Sequence, residues 1–169
     1  MDRRQAIGLL GFAGAARLGA APSSREGLLG IYRLIYWRTT NPDGTVVEPL
    51  GADPIGRITY HKSGLMSVML MRRNRSPQSR VNVQTAGIDE LREAVREAQA
   101  MGSNFIAYMG TFDVDEDRRI VTHRIVGGSS SSFSGANFER RFELTGNGLV
   151  LSVPPNFNSR LEWERVGDA

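Results

Sequence analysis

Between residues 105 and 126 the chain alternates apolar and polar side chains one by one, reverses across an acidic turn, and alternates again. In the first arm Ile106, Tyr108, Phe112 and Val114 share one parity with Gly110, while Ala107, Met109, Thr111 and Asp113 take the other. Successive strand side chains point to opposite faces, so a period of two with β-branched and aromatic residues predicts a half-buried strand. Asp115-Glu116-Asp117 has nothing apolar to bury and predicts the reversal. The return arm puts Val121, His123 and Ile125 on one face, so His123 is expected on the same side as Tyr108 and Phe112. Gly110, with no side chain among inward residues, predicts a cavity or a sharply curved strand.

The same reading extends along the chain. Residues 28–40 predict a strand with Tyr32, Leu34 and Tyr36 on one face and Ile31, Ile35 and Trp37 on the other. Asn41-Pro42-Asp43-Gly44 is a turn signal, because Pro presets φ and Gly accepts positive φ. A loop runs to Pro54, with a short extended piece at Val46 and Val47. Residues 57–61 and 65–72 form the next two strands around Lys62-Ser63-Gly64. The second of these is apolar on both sides and carries Met66, Met69 and Met71, which suit either an ordinary core or a ligand-lining wall. Residues 72–84 read as a solvated loop. Residues 88–101 predict a helix, with Ile88, Leu91, Val95, Ala98 and Met101 at helical spacing, charges opposite, and Gly102 as its stop.

Residues 127–135 form a Gly/Ser loop with one exposed-looking aromatic, Phe133. Residues 136–145 predict a strand with Phe138, Arg140, Phe142 and Leu144 on one face; residues 149–153 and 160–166 follow, the last with Leu161 and Trp163 facing one way. The sum is an all-β chain: about eight strands in an antiparallel barrel or a closed sandwich, either of which removes exposed sheet edges, with one helix inserted between the third and fourth strands.

Composition narrows the chemistry. With 169 residues one domain is expected, spanning residues 25–169. There is no cysteine and there are two histidines, so thiolate chemistry is excluded and a multi-histidine zinc site is disfavoured. The first 21 residues carry three arginines and one aspartate, which leaves the rest with +1 of the formal +3. A near-neutral body with interspersed signs offers no nucleic-acid footprint. Residues 1–24 place Arg3-Arg4 before a moderately apolar run ending in small residues. This resembles a twin-arginine signal peptide and predicts a periplasmic or secreted protein; the alternative is a disordered tail on a cytoplasmic one. The run is too short for a permanent membrane helix.

Six motifs in order resemble the lipocalin-like domain family, over residues 28–166. They are LLGIYRLIYW, with Tyr32 where the family usually has Trp; PLGADPIGRITYHKSGLMSVML; AYMGTFDVDEDRRIVTHRIV; GANFERRFEL; GNGLVLSVPP; and RLEWERV. The resemblance implies a calycin-type barrel with a small-molecule cavity. An eight-stranded barrel is just wide enough to be filled by side chains or to hold one small ligand.

The strand phases put Tyr60, Met69, Tyr108, Phe112, His123, Arg140, Phe142 and Trp163 inside as ligand-binding candidates. Arg140 would be a buried cation needing a carboxylate, an aromatic face or an anionic ligand, unless it caps the barrel end on Tyr32 or Trp163. His123 and Tyr108 are the candidate catalytic pair, an imidazole that titrates near neutrality beside a phenol donor. The alternative is a histidine hydrogen-bonded within the barrel. Three functions follow: binding of a small apolar or amphipathic molecule; an isomerase, cyclase or hydrolase using His123 and Tyr108; or a structural protein with a filled barrel. No cofactor, metal or nucleic-acid partner is expected.

Overall fold

The computed structural model describes residues 24–75 and 81–169. A short helix α1 (Ser24–Leu28) precedes β1 (Gly30–Thr40), β2 (Val46–Val47), β3 (Ile55–Tyr60) and β4 (Leu65–Met71). Helix α2 (Ile88–Asn104) leads into β5 (Phe105–Asp115) and β6 (Ile120–Gly128). A 3-10 turn (Ser131–Phe133) precedes β7 (Asn137–Thr145), β8 (Gly148–Val153) and β9 (Ser159–Gly167). Apart from the two-residue β2, the strands pair antiparallel with their sequence neighbours, and β1 pairs with β9 from Ile31↔Gly167 to Thr39↔Ser159. The sheet therefore closes as an eight-stranded barrel. The export-signal reading falls on residues that, Ser24 apart, lie outside those described.

The two ends of the barrel differ. At one end α1 lies across the lumen, with Leu28 fully buried and Arg25 stacked 4.5 Å over the Phe112 ring. Residues 28 and 29 thus close the barrel rather than begin β1. Arg165 secures this closure: it donates to the carbonyls of Leu29 and Gly27 (2.7 Å for Gly27) and to the Tyr32 hydroxyl at 2.7 Å. Its guanidinium also lies 4.9 Å from the Tyr32 ring centroid. Gly30 is required beneath it, because a Cβ there would lie 2.3 Å from an Arg165 nitrogen and the backbone has φ +147°. The arginine that caps the barrel on Tyr32 is Arg165, not Arg140.

The central hairpin forms as its alternation predicts, with Phe112 opposite His123 and both buried. Gly110 opens no cavity. The β5–β6 register shifts between Met109 and Gly110, and a Cβ on Gly110 would stand 1.9 Å from the Arg124 carbonyl oxygen. The space is filled by the backbone of β6, so the curved-strand alternative is the one realised.

Three further expectations are corrected. In β1 the pairing with β9 shifts between Leu34 and Tyr36, and this bulge turns Trp37 into the barrel. In β4 strict alternation places Met66, Val68 and Leu70 inside, so Met69 is on the outer face, 47 % exposed. Helix α2 continues through Gly102 to Asn104, and Ile88 and Val95 on its apolar stripe are exposed rather than packed on the barrel. Its start is held by the Glu90 carboxylate, which accepts from the Gly87 N–H at 3.0 Å. Among the described residues no helix is long and apolar enough to cross a membrane.

Candidate functional site

Opposite α1, where β4 hands over to α2, the lumen holds a cavity of about 220 Å³. Its wall is mostly apolar: Val68 and Leu70 from β4, Ile106 from β5, Leu151 and Val153 from β8, and Leu161 from β9. Every one of these positions is set by the period-two alternation that puts branched side chains inside. Aromatic rings complete it. Tyr108, Phe133 and Phe138 meet edge to face, with centroids 5.6 to 6.0 Å apart, a favoured arrangement of ring quadrupoles. Phe133 reaches in from the loop between β6 and β7, so it is half-buried and a lining residue, not a solvent-exposed one.

Beneath the cavity, Tyr108 joins a bridge of three polar side chains. His123 is fully buried, its Nε2 2.7 Å from the Tyr60 hydroxyl and its Nδ1 3.0 Å from the Tyr108 hydroxyl. Burial pushes the imidazole down to about 3, and the nearby charge of Arg140 adds to the effect. The ring is therefore neutral at physiological pH, with both nitrogens occupied. Burial also raises both phenols: Tyr60 well above its ordinary range, with neighbouring Tyr108 adding to the rise and Arg140 opposing it, and Tyr108 against the opposing charge of Arg140 and its hydrogen bond to the phenol. A neutral, doubly bonded imidazole orients the two hydroxyls that flank it.

Of the eight residues expected inside, Tyr108, Arg140 and Trp163 line this cavity. Tyr60, Phe112, His123 and Phe142 point inward as well, but pack in the α1 half of the barrel, where they are fully or almost fully buried. Met69 belongs to the outer surface, as described above. Arg140 donates to the backbone carbonyl of Glu139 at 2.7 Å and lies 5.3 Å from the Phe138 ring centroid. Among the described residues it pairs with no carboxylate. Trp163 is 2 % exposed, and its indole Nε1 is the one buried side-chain polar atom without a hydrogen-bond partner among the described residues.

Sequence reading missed Trp37, Phe133, Leu151 and Val153 in the wall, and Arg165 at the closed end. Arg165 was within reach, since it shares the parity of Leu161 and Trp163 along β9. Trp37 was not, because its direction depends on a bulge. Among the described residues no cluster of three or more histidine or acidic side chains could hold a metal ion.

A closed eight-stranded antiparallel barrel, plugged at one end and hollow at the other, has the architecture of small-molecule-binding β-barrels. A family model described as a lipocalin-like domain matches residues 29–166, and the chain belongs to that family. Among solved structures it is similar to a lipocalin-like protein from Bacteroides uniformis ATCC 8492, at 10 % identity and a TM-score of 0.47, over 83 % of this chain and 99 % of that one. No curated protein matches the chain.

Proposed function

We propose that the protein binds a small amphipathic molecule in the cavity at the α2 end of the barrel. The observation that carries this reading is the cavity itself: an apolar wall enclosing about 220 Å³, with a single cationic side chain, Arg140, that no carboxylate neutralises among the described residues. A barrel evolved only as a scaffold would fill that space, as the α1 half is filled, since an apolar void forfeits contacts on every side. The volume also bounds the ligand. It lies below the roughly 300 Å³ at which drug-sized pockets begin, so the occupant is a single ring or a short chain.

Native mass spectrometry on protein purified gently from its own host tests this. The expected result is a co-purifying molecule of a few hundred daltons or less, released on unfolding. An empty barrel with no thermal shift across a panel of small acids, alcohols, amines and aromatic compounds would favour a filled structural barrel instead.

A further inference from the structure

The Tyr60–His123–Tyr108 bridge can be assigned proton by proton. Tyr60 is fully buried, and its hydroxyl meets one polar partner among the described residues, His123 Nε2. If that hydroxyl accepted from Nε2, its own O–H would be stranded among apolar neighbours such as Phe112, whose ring packs edge-on against that of Tyr60 with centroids 4.9 Å apart. Tyr60 therefore donates to Nε2. A neutral imidazole carries one N–H, which then sits on Nδ1 and donates to the Tyr108 oxygen at 3.0 Å. This leaves the Tyr108 O–H without a fixed acceptor, on a residue that lines the cavity.

The other polar groups around the space have the same character. Arg140 presents a guanidinium with five N–H bonds, of which the Glu139 carbonyl takes one and the Tyr108 oxygen is a second partner, which leaves others free to face the space. The Trp163 indole N–H has no partner among the described residues. Trp37 is the exception that needs nothing, since its indole N–H donates to the Ser159 hydroxyl at 2.7 Å. The described lining includes no carboxylate, amide or imidazole acceptor. A ligand with a donor head would face donors alone; a ligand with an acceptor head would satisfy them.

We propose that the ligand is a small organic carboxylate, its head held by Arg140 and the Tyr108 hydroxyl and its apolar part against Val68, Leu70 and Ile106. This rests on the reading that the cavity binds a ligand at all. One guanidinium neutralises one negative charge and matches the planar fork of a carboxylate. A phosphate monoester would bring a second charge into an apolar space with no second cation lining it. His123 acts as a positioning residue: it makes no contact with the ligand and fixes which way the Tyr108 proton points.

The test is calorimetric titration of the full chain at pH 7.5 with octanoic acid, octan-1-ol and octylamine, which share a tail and differ at the head. The acid should bind at least tenfold more tightly than the alcohol or the amine. In Tyr108→Phe and in Arg140→Gln, each confirmed folded by circular dichroism, that preference should fall about tenfold, because the acid loses more affinity than the alcohol. An alcohol or amine bound as tightly as the acid overturns the carboxylate assignment and leaves the cavity reading standing. So does an acid preference that survives both substitutions. No binding by any of the three, with no shift for shorter-chain or aromatic acids, overturns the cavity reading itself. Separately, nitrogen-15 spectra of the imidazole should show His123 protonated at Nδ1; a proton on Nε2 would overturn the role given to Tyr108.

Discussion

The Tyr60 hydroxyl lies 2.7 Å from His123 Nε2 and so joins β3 to β6 across the lumen, although β4 and β5 separate those strands in the sheet. The contact is a cross-brace, and it ties the barrel's stability to one imidazole that folding keeps neutral.

That tie has a definite sign with pH. The unfolded chain binds a proton at His123 near its ordinary value of 6.5, while the folded chain resists it down to about 3. Below the unfolded value the unfolded state carries more protons, so stability falls as pH falls, by up to about 1.4 kcal/mol per unit. Urea midpoints taken from pH 7.5 to 5 should decline for the wild type and decline less steeply for His123→Gln. Equal slopes would mean the imidazole is not held neutral.

Gly110→Ala should be among the most damaging single substitutions in the chain. The added Cβ would stand 1.9 Å from a backbone oxygen of β6, which no rotamer change relieves. A loss of about 4 kcal/mol or more, or failure to fold, is expected. Gly127→Ala is the control: it sits in the same hairpin with nothing within 4 Å of the added carbon, and its denaturation midpoint should stay close to wild type.

The two inward arginines should separate cleanly in a stability assay. Arg165→Met removes a guanidinium that serves two carbonyls and a phenol at the closed end, and should cost about 2–4 kcal/mol. Arg140→Met removes one carbonyl contact, the hydrogen bond to Tyr108 and the approach to the Phe138 ring, all from a partly exposed side chain, and should cost less than Arg165→Met, about 1 kcal/mol. Thermal melts of the two variants side by side would expose any reversal of this order.

Phe133→Ala should cost about 1–3 kcal/mol, below the range for a fully buried ring, because Phe133 is half-buried on a loop. It should also let the cavity accept ligands with a longer or branched tail, since its ring packs edge to face on Tyr108 and Phe138 at the wall. Binding that stays confined to the same tail lengths would show that Phe133 sets no size limit.

How far the sequence leads depends on what each feature requires. The hairpin of Tyr108, Phe112 and His123 was legible because its residues obey strict alternation, and alternation is a local property. Arg140 was placed inward on the same ground, between Phe138 and Phe142. Trp37 was misplaced because one bulge, visible only in the pairing of β1 with β9, reverses the parity of everything after it. Met69 was misplaced because every residue of its strand except Ser67 is apolar, so parity carried no contrast and its partner strand had to decide. Phe133 depends on a loop that folds back, which periodicity does not encode. Gly110 was correctly marked as unusual, yet emptiness at a glycine and intrusion by a neighbouring backbone leave the same trace in a sequence.

The asymmetry of the barrel ends has a practical side. Ser24 opens α1, and Gly167, at the end of β9, pairs with Ile31 near the start of β1, so the chain arrives and departs on the plugged side. The helix α2, the loop bearing Phe133 and the short β2 all gather on the other. The molecule thus has a handle and a bowl. A surface, a carrier domain or a label fixed at either handle position stands clear of the bowl, and a probe dye placed on the Phe133 loop will report filling without disturbing the anchorage.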